Sequence, residues 1–229
     1  MIDAVEVAAR NNAAWCDSLC RTHGVNGVFG VDHWASAVRT PQLYPDAITL
    51  TRDASAEALL RSVDRSSGCS VKDSFANLDL TPAAFRVLFD AQWIHRAPAL
   101  PPARDHATWS VVGTGEDLAA WERGRCDGGA APDTFAAALL EVDAVVVFGE
   151  RAERGFGAGV IANRSDGVVG ISNFFARADR ARAWEQCVAT VSHAFPDTPI
   201  VGYETGTDLE QARRQGFEML GPLRVWLAP

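Results

Sequence analysis

The sequence predicts an α+β fold in which helices flank a mixed central sheet. The main support is the order of segments in the second half: a strand, helices, three antiparallel strands, a long helix, a strand, a helix and a last strand. The chain has 229 residues, of which 48% are hydrophobic and 22% charged, enough to bury a large core. This composition excludes a disordered, collagen-like or coiled-coil chain.

A proline-rich segment divides the chain near residue 104. Pro98, Pro101 and Pro102 cannot continue a helix or a central strand. We therefore expect an N-terminal α/β region over 1–104 and a second domain over 105–229. The net charge is −8, and nearly all the excess acid follows residue 104. Such an acidic chain disfavours nucleic-acid and anionic-membrane partners.

The elements of the first region are predicted from the spacing of apolar residues. A helix is expected to open the chain and to end near His23-Gly24. A strand, a helix with Leu59 and Leu60 inward, and an apolar strand follow. The predicted bounds are 3–22, 47–51, 55–66 and 85–95.

Local signals define the first part of the second region. Thr114, with Asp117 three residues later, forms a capping box that opens a helix. Asp166-Gly167 indicates a tight hairpin between two strands. The predicted strands are 108–112, 144–148, 155–163 and 167–175, and a short helix begins at Thr134.

The last part combines a long helix, two strands and a second helix. Trp184, Cys187, Val188, Val191 and Phe195 lie on one face of a predicted helix over 179–195. A strand over 199–204 precedes a helix that we expect to be capped by Thr207 and Glu210 and to end at Gly216. An edge or hairpin strand over 223–227 closes the chain.

The segment DLEQARRQGFEMLGPLRVWL, at 208–227, together with this order of elements, resembles the GNAT acyltransferase superfamily. In that superfamily a helix ending in Gly-Phe, here Gly216-Phe217, precedes the final strands. The resemblance covers 105–229 and implies a GNAT-like mixed sheet. Residues 1–104 would then be an N-terminal α/β extension or a partial second GNAT-like unit.

The resemblance implies acetyl-CoA or another acyl-CoA as cosubstrate. The fourth strand of the family binds the pantetheine arm, and the loop after it wraps the pyrophosphate at a helix N-terminus. The strand positions that match are Ile171, Ser172, Asn173 and Phe174. The family's loop glycines are absent here, and Arg177, Arg180 and Arg182 stand in their place. Their guanidinium groups could bind phosphate, or they could form a solvated first helical turn.

The candidate catalytic residues lie at the end of the 199–204 strand. The tyrosine that many family members carry four residues before Gly-Phe is replaced by Ala212. Glu204 could take a proton from an ammonium substrate, and Tyr203 could act as an acid. A structural role is the alternative for both residues.

The function implied by the resemblance is N-acyl transfer to a small amine. A catalytically inactive GNAT-fold binding or interaction module is the alternative, favoured by the missing glycines and the missing tyrosine. Transfer from an aminoacyl-tRNA is disfavoured by the net charge of −8. We expect no nucleic-acid or membrane partner, and a homodimer is compatible with the sequence.

The cysteines and the N-terminus indicate a cytoplasmic protein. Five scattered cysteines do not suggest a disulfide framework, and no basic segment followed by an apolar run opens the chain. Cys16, Cys20 and His23 could present metal ligands on one helical face, but they lack a local fourth ligand, so we expect no metal.

Two further features bear on possible chemistry. The glycines of 155–159 enter a strand rather than a helix, so we interpret them as neighbours of bulky side chains and not as a nucleotide loop. Lys72 is the single lysine of the chain, so any chemistry that requires a lysine depends on it.

Overall fold

The computed structural model describes residues 3–99, 109–126 and 133–229. Within these residues the chain forms a mixed sheet of eleven strands with helices on both faces, which confirms the expected α+β class. The helices are α1 (Ala4–Thr22), α2 (Ala56–Arg61), α3 (Gly115–Arg125), α4 (Arg180–Ala194) and α5 (Gly206–Arg214), with 3-10 turns at Thr81–Ala83 and Ala137–Glu141. The strands are β1 (Val28–Phe29), β2 (His33–Ala35), β3 (Ala47–Thr49), β4 (Ser70–Asp73), β5 (Arg86–Arg96), β6 (Trp109–Val111), β7 (Val145–Arg151), β8 (Phe156–Ser165), β9 (Val168–Ala176), β10 (Ile200–Glu204) and β11 (Glu218–Leu227).

The sheet joins strands from both sides of the proline-rich segment. Its order is β1-β2-β3-β4-β11-β5-β10-β9-β8-β7-β6, and β5 is antiparallel to both β10 and β11. The predicted boundary near residue 104 lies outside the described residues. The expectation of an edge or hairpin strand at 223–227 is wrong, because β4 pairs with β11 on the side away from β5.

Helices cover the two faces of the sheet in separate sets. Ile161 of β8 packs with residues of α1 and α3, whereas its neighbours Val160 and Ala162 pack with residues of α4. This alternation follows from the two-residue period of a strand. The sheet is therefore buried between α1 and α3 on one face and α4 and α5 on the other.

The helix signals are confirmed in part. Thr114 accepts a hydrogen bond from the Asp117 backbone N–H at 3.1 Å, and Gly216 follows α5 with φ of +85°. The expected caps Thr207 and Glu210 are wrong, because α5 already begins at Gly206 and Thr205 is its N-cap. The helix expected over 55–66 ends at Arg61, and the one expected from Thr134 is a 3-10 turn. No helix in the described ranges is long and apolar enough to cross a membrane.

The glycines of 155–159 serve packing and turn geometry. A Cβ on Gly159 would overlap with the Trp121 ring, whose Nε1 donates to the Phe148 carbonyl at 2.9 Å. Gly155 has φ of +79°, a backbone conformation that glycine adopts most easily. The interpretation as strand glycines beside bulky neighbours is therefore confirmed for Gly159, whereas Gly155 lies in the turn before β8 and a Cβ on Gly157 would meet only Ala152.

Helix α1 lies close against the sheet at Gly170. The side-chain amides of Asn11 and Asn163 interlock through buried hydrogen bonds of 3.1–3.2 Å, and Asn11 also donates to Ser165 Oγ at 3.1 Å. A Cβ on Gly170 would overlap with Asn11 Oδ1. Only glycine therefore permits this approach without displacing the helix.

We expect Gly170→Ala to lower the free energy of unfolding by about 2–3 kcal/mol, because the added methyl group must displace α1 or break the Asn11–Asn163 bonds. Urea denaturation followed by circular dichroism measures this loss. Gly113→Ala is the matched control, since its added Cβ would contact nothing within 4 Å. Equal stability of the two variants would contradict the close approach.

Candidate functional site

Strands β9 and β10 separate after a short parallel pairing. They pair at Val169 with Ile200 and at Gly170 with Val201, although β9 continues to Ala176 and β10 to Glu204. The separation leaves a V-shaped opening in the sheet. A cavity of about 210 Å³ occupies it.

Six of the nine predicted site residues meet in this cavity. They are Ile171, Ser172, Asn173 and Phe174 of β9 and Tyr203 and Glu204 of β10. The opposite walls come from α1, from the loop before β3, from β4 and from α3. These residues are Asn12, Trp15, Cys16, Leu43, Tyr44, Pro45, Lys72 and Arg125.

A β-bulge shapes the β9 side of the cavity. The pairing with β8 passes from Ile161 with Ser172 to Gly159 with Phe175, so β9 carries an extra residue here. Asn173 has φ of +54°, which asparagine tolerates better than most residues. Beyond Gly170, no strand of the described chain pairs with the β9 edge that faces β10. Its backbone N–H groups can therefore bind a ligand.

Glu204 brings to the cavity a carboxyl group whose pKa is raised. Burial, reinforced by the nearby Asp208 carboxylate, raises the pKa of Glu204 to about 8, and Arg180 opposes the shift. Asp208 itself accepts from Arg180 Nε at 2.6 Å and from Trp184 Nε1 at 2.9 Å. A carboxyl group with this pKa can accept or donate a proton near neutral pH.

Tyr203 contacts a lysine that the sequence analysis did not assign to the site. The Lys72 ammonium lies 4.5 Å from the centre of the Tyr203 ring and donates to its hydroxyl oxygen at 3.3 Å. It also donates to Asn12 Oδ1 at 2.7 Å. The available signals were the uniqueness of Lys72 in the sequence and an asparagine on an otherwise apolar helix face.

The three predicted arginines lie outside this cavity. Arg180 is bound by both carboxylate oxygens of Asp208, and Arg182 donates to Glu150 at 3.2 Å. Arg177 lines a separate cavity of about 480 Å³ beside the start of α4. The carboxylates of Asp208 and Glu150 would therefore compete with a phosphate for Arg180 and Arg182. The spacing of the arginines in the sequence did not reveal these ion pairs.

The N-terminus of α4 is also partly occupied by its own chain. Asp179 is the N-cap, with φ of 38°, and its carboxylate accepts from the Arg182 backbone N–H at 3.2 Å. One of the N–H groups that could hold a phosphate is thus already bound.

The three residues considered as metal ligands have other contacts. Cys16 and Cys20 are buried, and burial raises the pKa of the Cys20 thiol to about 12. His23 Nε2 lies 2.7 Å from the Thr134 carbonyl oxygen. No group of three or more potential ligands was found among the described residues.

Solved structures with the same architecture cover nearly the whole chain. A GCN5-related N-acetyltransferase from Kribbella flavida matches 100% of this chain and 97% of its own, with a TM-score of 0.69 and 13% identity. A putative GNAT-family acetyltransferase from Novosphingobium aromaticivorans matches 96% of this chain and 99% of its own, with a TM-score of 0.58 and 11% identity.

A GCN5-related N-acetyltransferase-like protein from Streptococcus suis covers 96% of each chain, with a TM-score of 0.54 and 10% identity. No protein-family model and no curated protein matches the sequence. The structural similarity shows that the chain has the GNAT fold, as the C-terminal segment predicted.

The raised pKa of Glu204 makes stability depend on pH. Between pH 4.5 and about 8 the folded protein keeps a proton on Glu204 that the unfolded chain loses. We therefore expect the free energy of unfolding to fall with rising pH across this window, relative to Glu204→Gln. Urea midpoints at pH 5, 6.5 and 8 test this, with Glu210→Gln, at an exposed position of α5, as control. A constant difference between wild type and Glu204→Gln would contradict it.

Proposed function

We propose that the protein is an acyl-CoA-dependent N-acyltransferase that acts on a small amine, with acetyl-CoA as the expected donor. The observation that carries the proposal is the opening between β9 and β10, where the bulge at Asn173 and the carboxyl group of Glu204 line the same cavity. The shared fold with N-acetyltransferases supports the same conclusion.

In this proposal the free edge of β9 binds the donor. Backbone N–H groups around Ile171–Phe174 hold the pantetheine arm and stabilise the charge that develops on the thioester oxygen. The walls from α1 and α3 exclude water from the reacting atoms. The donor supplies an activated acyl group as its thioester.

Glu204 and Tyr203 move the protons. The amine nitrogen attacks the thioester carbon, so that a C–N bond forms as the C–S bond breaks. The proton of the amine passes to the Glu204 carboxylate, and the leaving sulfur takes the Tyr203 hydroxyl proton to give the free thiol. Glu204 then releases its proton to solvent as Tyr203 regains one, and the products are an amide and CoA.

We propose further that the donor phosphates lie near the start of α4, beside Arg177, Arg180 and Arg182. Arg177 is the strongest candidate, because the ion pairs of this region among the described residues involve Arg180 and Arg182 and not Arg177. To contact a phosphate, Arg180 must give up or share its ion pair with Asp208, and Arg182 must do the same with Glu150.

Calorimetry with acetyl-CoA and with CoA tests donor binding. We expect heat with both ligands and about tenfold weaker binding by Arg177→Ala, because one charge-assisted contact is lost. Arg61→Ala, which removes an exposed side chain of α2, is the control. Absence of heat at millimolar ligand would contradict the acyltransferase proposal. A triple variant with Ala at Arg177, Arg180 and Arg182 that binds CoA as tightly as wild type would contradict only the proposed phosphate contacts.

The pH dependence of acyl transfer tests the role of Glu204. The deprotonated fraction of Glu204 increases with pH until the pH passes its pKa of about 8. We therefore expect kcat/KM to rise by up to about tenfold per pH unit below pH 8 and then to level off. We expect Glu204→Gln to lower kcat by about 100-fold or more and to lose this rise. Glu210→Gln should behave as wild type, and a Glu204→Gln variant with normal kcat would contradict the assignment.

A second candidate function is a GNAT-fold binding module without acyl transfer. The observations that favour it are the Asp179 carboxylate at the N-terminus of α4 and the ion pairs of Arg180 and Arg182. Such a protein would give no heat with CoA or acetyl-CoA in the calorimetry described above, while still binding a ligand in its cavities.

We propose that the protein works in a reducing compartment, the cytoplasm. All five cysteines are free thiols, and four of them are buried, as in proteins that do not depend on disulfides. Oxidation of the buried thiols would require unfolding of the surrounding core.

A further inference from the structure

A second cavity lies next to the cleft between β9 and β10. It has a volume of about 600 Å³, within the range typical of small-molecule sites. Its walls come from the loop before β3, from β5 and from β11. Apolar residues dominate them, among them Pro41, Leu43, Pro45, Phe89, Val225 and Leu227.

The two cavities meet at Lys72 and Tyr203. Both side chains line both cavities, as do Leu43, Tyr44 and Pro45. A molecule held against the apolar walls of the second cavity can therefore extend a polar group towards the acid and base proposed above. The second cavity is the larger of the two, so it has room for the body of a substrate.

Lys72 is a buried cation with neutral partners. The residue is 4% exposed, and its two described acceptors are the Asn12 amide oxygen and the Tyr203 hydroxyl. No carboxylate among the described residues forms an ion pair with it. A buried charge without a counter-charge is costly, and its ammonium has a third N–H to donate. An anionic ligand group would offset that cost.

The charged residues around the second cavity also favour an anionic ligand group. Its described lining contains Arg39 and Lys72 but no carboxylate. Arg39 is already bound to Asp46 at 3.0 Å and to backbone carbonyls, which leaves Lys72 as the cation available to a ligand. The cavity therefore suits an apolar body that carries one anionic group.

We propose that the acceptor is an amino acid with an apolar side chain, bound in this second cavity. The carboxylate binds Lys72, the side chain packs on the apolar wall, and the α-amine extends towards Glu204. This proposal rests on the proposed acyl transfer for its chemistry: the α-amine nitrogen forms the amide bond, its proton goes to Glu204, and the thiol leaves with the proton of Tyr203. Binding of the amino acid is a separate property.

The first test compares L-phenylalanine with L-phenylalaninamide on the wild-type protein, by calorimetry with and without millimolar CoA. The two probes share the ring and the α-amine and differ in the carboxylate. We expect the acid to bind about tenfold to 100-fold more tightly, since a charge-assisted contact with Lys72 is lost in the amide. Equal affinities, or no binding of either probe, would overturn the proposal.

The second test uses Lys72→Gln, with its folding checked by its urea midpoint. We expect this variant to bind the acid and the amide equally, whereas Arg61→Gln, which removes an exposed positive charge from α2, should keep the wild-type preference. A Lys72→Gln variant that folds and still prefers the acid would overturn the proposal. If it does not fold, the wild-type comparison decides.

Activity separates this proposal from the function on which it rests. Acetyl transfer to 2-phenylethylamine but not to L-phenylalanine would leave the acyltransferase standing and reject the amino-acid acceptor. Binding of L-phenylalanine without any binding of CoA would reject acyl transfer and leave the carboxylate site standing.

Discussion

The close contact between α1 and the sheet at Gly170 is the constraint on which the site depends. Asn11 lies against that glycine and interlocks with Asn163, which fixes the height and rotation of the helix. The next residue, Asn12, is thereby held 2.7 Å from the Lys72 ammonium. Gly170 is also the last β9 residue paired with β10, so the same contact anchors the sheet where the opening begins.

The first hundred residues supply walls that the second half lacks. Lys72 comes from β4, Tyr44 from the loop before β3 and Asn12 from α1, and all three line the cavity between β9 and β10. Strand β5 fills the position between β10 and β11, which keeps Tyr203 in register with Trp93. The cleft is thus built jointly, with the proposed donor-binding and proton-transfer residues on β9 and β10 and with further walls from the N-terminal strands, loop and helix.

Features that depend on residues close together in the sequence could be predicted, and features that depend on distant residues could not. The Asp166-Gly167 hairpin, helix α4 and the stop at Gly216 depend on neighbouring residues, so the sequence indicated them correctly. The partners of Arg180 and Lys72 lie on other elements, and no local spacing reveals them. The prediction of an edge or hairpin strand at β11 was wrong for the same reason, because its partners β4 and β5 are remote from it in sequence.

The place of β5 also makes the centre of the sheet depend on strands that come last in the chain. Both of its partner strands follow it along the chain at a long distance, as the pairing of Phe89 with Val225 shows. Non-local pairings of this kind form slowly. Until they form, the backbone N–H and C=O groups along both edges of β5 are open to other chains, which favours aggregation. The interval before β11 joins the sheet is therefore the stage at which the chain is most open to edge-to-edge association.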